Sequence, residues 1–325
     1  MAAGERNVLI TGANGFVGCH LVRLLRTKTL AVHGAVFGSE NEAVVNTLLA
    51  PSRRHRLDLR VPKQVRELVG KVTPDVVFHL AAQSHVPTSW REPEMTLRVN
   101  ALGTLAVLEA LAALAPEATV VLISSGDIYE IASGQTAEDT PYRPRNPYAL
   151  SKLVADLLGE FVFFSRGLKV IRLRPFNHVG PGQGPTFVLP SFARQVALIE
   201  AGLQEPVLKV GNLDVERDFT DVRDMVRAYW LAAHKCTPGE GYNVASERTY
   251  SIRAVLEALL RLSRRRTARD QIAIEVDPAL YRPAENVRQC ADSSKFRAAT
   301  GWAPRIGIER TLRDTLQYWR REVRA

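Results

Sequence analysis

Three side chains in this chain have the types and spacing for proton transfer to a carbonyl oxygen. Tyr148 and Lys152, in "PYALSK", stand four residues apart at the start of a helical pattern, so both leave one face. An ammonium beside a phenol favours the phenolate. That predicts a tyrosine pKa depressed towards neutrality, as proton transfer requires. Ser125 closes the apolar run "TVVLISS" and would present a hydroxyl at the end of a strand, within reach of a carbonyl oxygen. Two residues on, in "ISSGDIYE", Asp127 raises a second chemistry: an extra acid–base group of the kind that elimination of water demands.

These groups need a crevice, and the pattern around them supplies one. "ITGANGFVG" places Gly12, Gly15 and Gly18 between a short apolar run and a helix. Gly12 permits the tight turn, Gly15 admits a pyrophosphate close to the backbone, and Gly18 allows close helix–sheet packing. The helix N-terminus adds N–H donors and a positive dipole end. Short apolar runs then alternate with helical patterns through "AVHGAVF", "DVVFHLAA", "TVVLISS" and "LKVIRLRP". Such alternation predicts parallel strands with helices on both faces, an α/β chain built on a Rossmann-type doubly wound sheet. Beyond about Pro175 the alternation breaks in the Pro/Gly-rich "RPFNHVGPGQGPTFVLP", which marks a change of lobe. The expected division is a dinucleotide-binding domain over 1–174 plus about 218–240, with a smaller C-terminal α/β substrate-binding lobe over 175–217 plus about 241–325. The second strand ends "VFGSENE", with Gly38 and Ser39 where a ribose-binding acid or an arginine would decide the cofactor, so NADH and NADPH both stay open.

Composition narrows the partners. At 325 residues, 46% hydrophobic and 24% charged, the chain can bury a large core. No charge-free apolar run of ~20 residues is evident, so no membrane partner is expected. Cys19, Cys236 and Cys290 are widely spaced, without metal-ligand spacing, which predicts reduced thiols, no bound metal and a cytoplasmic setting. The net charge is +9, and its densest cluster is "RLSRRRTARD", which follows a helical pattern without interleaved aromatics. A solvated helix face explains it better than nucleic-acid binding, and a basic surplus suits a phosphate-bearing substrate. The segments at 100–115 and 148–164 are apolar nearly all round, which predicts a homodimer joined through both, with burial inside one chain as the alternative.

The glycine turn, the strand-end serine and the Tyr/Lys pair together resemble the extended short-chain dehydrogenase/reductases, in the branch that modifies sugar nucleotides. The resemblance runs over nearly the whole chain. It implies that Gly12, Asn14, Gly15, Phe16, Val17 and Gly18 line the cofactor, with Asp58 accepting from adenine and Leu59 beside it. It also implies that Leu80, Ala81 and Ala82 of "HLAA" line the groove and that Asn100 supports the proton path. Read without it, Asp58 is a strand-end turn residue and Asn100 a helix cap. In the second lobe "RPFNHVGPGQGPTFV", "VGNLDVERDFTDVRD", "YNVAS", "RPAE" and "TGWAPRI" look most like the branch members that reduce the C4 ketone of a GDP-4-dehydro-6-deoxyhexose. On that likeness Asn177 contacts the sugar and phosphates, Arg217 and Arg282 grip the diphosphate, and Glu285 faces the nucleoside.

Other readings keep support. "AAQSHV" is similar to the dehydratases acting on GDP-mannose, where Asp127 would hold the position of their usual glutamate. Glu130 stands where relatives carry glycine, so that turn is expected to be built differently. An epimerase, or a non-catalytic nucleotide-binding scaffold, uses the same fold.

Overall fold

The computed structural model describes residues 6–130, 134–264, 272–280 and 288–324. Six strands form first: β1 (Arg6–Thr11), β2 (Leu30–Val36), β3 (Arg54–Arg56), β4 (Val76–His79), β5 (Thr119–Ile123) and β6 (Lys169–Pro175). Short strands follow: β7 (His178–Val179), β8 (Val207–Val210), β9 (Glu216–Asp218) and β10 (Thr220–Asp221). The last are β11 (Gly241–Val244), β12 (Thr249–Ser251), β13 (Ala273–Val276) and β14 (Arg288–Gln289).

One parallel sheet runs in the order β11-β6-β5-β4-β1-β2-β3. The order reverses between β1 and β4, and a ligand crevice opens at the carboxyl ends of strands beside such a point. Residues 241–244, expected in the second lobe, instead extend this sheet, with Gly241 opposite Arg172 and Val244 opposite Pro175. All four β11 residues are buried, so the strand gains more at the sheet edge than in the smaller lobe.

Helices cover both faces: α1 (Phe16–Leu25), α2 (Glu42–Leu48), α3 (Pro62–Val72), α4 (Val86–Arg91), α5 (Pro93–Leu97), α6 (Gly103–Leu114) and α7 (Pro147–Arg166). Later come α8 (Val188–Glu200), α9 (Val222–Lys235), α10 (Ile252–Arg261), α11 (Ser294–Thr300) and α12 (Ile308–Glu322). Val69, Val107, Leu108, Leu111 and Val162 of α3, α6 and α7 pack on Val120 and Leu122 of β5. Leu21 and Leu25 of α1 join Met225 and Tyr229 of α9 on the opposite face. The continuous helix Pro93–Leu114 is, by its 22 residues and its apolarity, long enough to cross a membrane. Here it packs in the core between α3 and α7. The smaller lobe gathers α8, α10 and α12 around Phe192, Val196, Leu256, Leu259 and Leu316.

Two local features aim the chemistry. Asn146 caps α7, its Oδ1 accepting from the Ala149 amide at 2.8 Å, and Pro147 fills the first turn where a missing N–H costs nothing. Gly167, at φ +70°, closes the helix. Tyr148 and Lys152 therefore lie in the first turns of a twenty-residue helix. The second feature is a π turn at Arg98–Leu102 between α5 and α6, a device that re-aims one side chain inside a helix. It carries Asn100.

Candidate active site

The glycine turn is shaped for a dinucleotide. A Cβ on Gly18 would lie 2.1 Å from the Gly12 carbonyl oxygen, so only glycine fits where α1 meets the turn. Gly12 itself, at φ +70°, packs on Ala81, where a Cβ would be 2.9 Å from the Ala81 Cα. Gly15 is the N-cap of α1 with no side-chain cap, which leaves the first-turn amides to an anion, as a pyrophosphate requires. Asn14 does not face that anion with its amide. Its Nδ2 donates to the carbonyls of Phe37 and Glu40, both at 2.9 Å, and so it clamps the end of β2. Phe16 and Val17 stand half-buried on the first turn of α1, and the Phe16 ring lies parallel to His178 of the second lobe at 6.3 Å.

Asp58 behaves as a turn residue. Its carboxylate accepts from Arg60 at N, Nε and Nη2, and this pairing holds its pKa below the usual carboxylate range. Leu59 is buried against Gly103, whose missing Cβ makes room for it. Leu80, Ala81 and Ala82 remain partly open at the end of β4.

Below that edge runs a buried chain that the sequence did not reveal. The Thr104 hydroxyl donates to Asn100 O at 2.6 Å, so it must accept from His79 Nε2–H at 3.0 Å. His79 Nδ1 then accepts from the Thr11 hydroxyl at 2.8 Å, and Thr11 Oγ1 accepts from the Ala81 amide at 3.2 Å. Burial, with Lys152 nearby, pushes the imidazole down to about 3, so it is neutral. Asn100 extends the chain. Its Oδ1 accepts from the Gln83 amide at 2.8 Å, and its Nδ2 donates to Gln83 O at 2.8 Å and to Ser151 Oγ at 2.9 Å. It fastens the strand-end loop to α7 one position before Lys152.

Ser125, Asp127, Tyr148 and Lys152 converge at the ends of β5 and α7. The Ser125 hydroxyl is hydrogen-bonded to the Tyr148 phenol and also accepts from the Asp127 amide at 3.1 Å. Lys152 Nζ donates to Ile123 O, while Ser124 Oγ donates to Lys152 O at 3.3 Å, so strand and helix are laced in both directions. The expected depression of the tyrosine pKa does not follow. Burial raises it, the Asp127 charge raises it further, and Ser125 pulls the other way. Lys152 Nζ is instead engaged by the Ile123 carbonyl. Burial brings the Lys152 ammonium itself down to about 8, opposed by Asp156.

The turn after Ser125 explains two residues. A Cβ on Gly126 would meet the Phe176 ring at 2.7 Å, so no larger residue fits. Glu130 has no positive φ and therefore no need of glycine; its amide donates to Pro141 O at 2.7 Å and its carboxylate pairs with Arg143. Tyr129 anchors the turn from below, its hydroxyl accepting from Arg174 at 2.6 Å and donating to Asn243 at 2.9 Å.

From the second lobe, Asn177 approaches the same turn through Gln289, which carries no sequence motif. Gln289 is opposite Arg217 in the β9–β14 ladder, donates to Asp127 Oδ1 at 2.9 Å and accepts from Asn177 Nδ2 at 3.1 Å. His178 is a structural histidine, its Nδ1 donating to Phe176 O at 3.1 Å and its pKa lowered by burial. Arg282 and Glu285 lie outside the described residues. A cleft of about 480 Å³ in this lobe is of mixed charge, lined by Arg194 and Lys209 together with Glu205 and Asp277.

A glycine turn at the switch point of a parallel sheet, facing a strand-end serine and a helical Tyr/Lys pair, defines a Rossmann-type dinucleotide-dependent oxidoreductase. Residues 9–315 match the family model described as GDP-mannose 4,6 dehydratase, and the chain belongs to that family. It is 39% identical, over 98% of its length and 99% of the relative's, to GDP-6-deoxy-D-mannose reductase of Pseudomonas aeruginosa. It is 31% identical to a GDP-mannose 4,6-dehydratase of Vibrio cholerae, over 94% of this chain and 91% of that one. Among solved structures it is similar to a Pseudomonas aeruginosa protein complexed with NADPH, with TM-score 0.82, 37% identity and coverage of 97% and 99%. A Thermus thermophilus UDP-glucose 4-epimerase complexed with NAD is also similar, with TM-score 0.82, 30% identity and coverage of 96% and 98%.

Proposed function

We propose that this chain reduces the C4 ketone of GDP-4-dehydro-6-deoxy-D-mannose to GDP-6-deoxy-D-mannose (GDP-D-rhamnose), with NADPH or NADH as reductant. A reduced nicotinamide, when bound, supplies the hydride that reaches C4. Tyr148 gives its phenolic proton to the ketone oxygen as charge develops there, and Ser125 donates a hydrogen bond to the same oxygen. The glycine turn holds the pyrophosphate, and Lys152 offers an ammonium to the cofactor ribose. Asn177 and Arg217 face the sugar and phosphates.

The observation that carries this reading is the 39% identity, over 98% of the chain, to GDP-6-deoxy-D-mannose reductase, with Ser125 hydrogen-bonded to the Tyr148 phenol where a ketone oxygen would be protonated. The second reading, GDP-mannose 4,6-dehydratase, draws on Asp127 beside Tyr148. Against it, the Asp127 carboxylate is tied to Gln289, and the packed Gly126 leaves no room for a second group.

The test is to incubate the protein separately with GDP-mannose and with GDP-4-dehydro-6-deoxy-D-mannose plus NADPH or NADH. Reductant oxidised only with the keto sugar is the expected outcome. Keto sugar formed from GDP-mannose without added reductant would overturn the proposal in favour of the dehydratase.

A homodimer through α6 and α7 belongs to this proposal. Leu150, Leu157, Phe161 and Phe164 form one exposed stripe along α7, with Leu102 exposed at the start of α6; Phe164 is 75% exposed. A second copy of the same surface is the natural cover for so apolar a stripe. The three buried cysteines, none in a disulfide, fit a reducing, cytoplasmic setting.

A further inference from the structure

We propose that Gln289 is a positioning residue of the reducing centre, whose amide bridges Asp127 of the dinucleotide lobe to Asn177 of the substrate lobe and keeps the Asp127 carboxylate off the reacting oxygen. The inference deepens the reductase reading and rests on it. Gln289 is 8% exposed, and its two amide atoms are used in opposite senses. An ionised carboxylate only accepts, so the NH₂ group must face Asp127; the amide oxygen is then left for Asn177, as the 2.9 and 3.1 Å contacts show. The bridge spans 162 residues on one side and 112 on the other, and the β9–β14 ladder fixes Gln289 from behind.

The bridge matters because of what Asp127 does to its neighbours. Its charge already acts on Tyr148 against formation of the phenolate. In reduction a bound reduced nicotinamide would give up a hydride and be left oxidised, the new C–H bond forms at C4, the carbonyl electrons move onto oxygen, the Tyr148 O–H bond breaks and its proton ends on that oxygen. Negative charge therefore appears first on the sugar oxygen and then on Tyr148, both near Asp127. A donor on Asp127 Oδ1 draws charge density away from that region and pins the carboxylate towards the second lobe. Without the donor, Asp127 is free to turn towards Ser125 and Tyr148 and repel the developing charge. Such an effect falls on the transition state and so on kcat.

The experiment compares Gln289→Leu, Gln289→Glu and the double variants Asp127→Asn/Gln289→Leu and Asp127→Asn/Gln289→Glu with wild type and Asp127→Asn, using the keto sugar and NADPH. Gln289→Leu is expected to lower kcat about tenfold and leave KM within about threefold. Gln289→Glu, isosteric and unable to donate, is expected to lower kcat further. Adding Asp127→Asn should return both to the level of Asp127→Asn alone. A neutral side chain at that position no longer repels, and in the second double variant its amide can donate to the carboxylate introduced opposite. A packing role for Gln289 would not be repaired by a change at Asp127. Unchanged kcat in the Gln289 variants, or losses that Asp127→Asn fails to restore, would overturn the inference. Should wild type itself not turn over the keto sugar, the reductase reading fails instead. The bridge is then tested alone by a double-mutant cycle of Asp127→Ala and Gln289→Leu in urea unfolding, where additive losses sink it.

Discussion

The ring of Phe176 lies against Gly126 so closely that a Cβ there would stand 2.7 Å from it. The contact joins the turn that carries Ser125 and Asp127 to the first residues after β6, where the second lobe begins. Gly126→Ala should therefore overpack this junction, costing ~1–3 kcal/mol of stability. Thermal unfolding of Gly126→Ala should show a lowered Tm that Phe176→Leu in the same chain partly restores. An unchanged Tm would mean that the junction is not packed as described.

Tyr148→Phe keeps the ring and removes the proton. With Ser125 left as the remaining hydroxyl at the ketone oxygen, turnover of the keto sugar should fall by ~10²–10⁴-fold. NADPH affinity, measured by fluorescence titration, should change little. Undiminished turnover would remove Tyr148 from the chemistry.

Lys152 sets an alkaline limit. Its ammonium, brought down to about 8 by burial, is charged below that pH and neutral above it. Activity that depends on the charge should fall as pH rises through about 8, mainly through weaker cofactor binding. In Lys152→Arg, which stays charged, kcat/KM measured from pH 7 to 10 should lose that limb while its maximum drops.

His79 predicts acid sensitivity. Its folded pKa, pushed down to about 3, lies below the unfolded value of 6.5, so the unfolded chain binds the extra proton between the two. Stability from this group is full above about 6.5 and is lost as pH falls towards 3. His20 and His178, both lowered by burial, act with the same sign. Urea unfolding midpoints should decline from pH 7 to pH 5, less steeply in His79→Gln. A midpoint flat with pH would contradict the buried, neutral imidazole.

The α7 stripe predicts the oligomer. Phe161→Asp with Phe164→Asp, both on the exposed face of α7, should give a monomer by sedimentation where wild type is a dimer. A wild type that sediments as a monomer at micromolar concentration would remove the interface.

Much of the site was legible because its signals are local. The glycine turn, the strand–helix alternation, the strand-end Ser125 and the one-turn spacing of Tyr148 and Lys152 are each written within a few residues, and backbone geometry alone gives them direction. Asn177 and Arg217 were singled out by family-like runs rather than by local geometry, and the fold brings Asn177 to Gln289. What the sequence could not determine were relations between distant residues. Where the flexible Lys152 stem goes is one of them, and the Ile123 carbonyl at the end of β5 takes its ammonium. Whether Asp58 is available to a ligand depends on Arg60, whose side chain occupies it. The short strands β11 and β14 have little pattern to read, so neither the extension of the sheet by residues 241–244 nor the arrival of Gln289 at Asp127 could be foreseen. Local chemistry, in short-range spacing and turn residues, chose the groups; burial and cross-lobe hydrogen bonds, which exist only in the folded chain, decided their charge and aim.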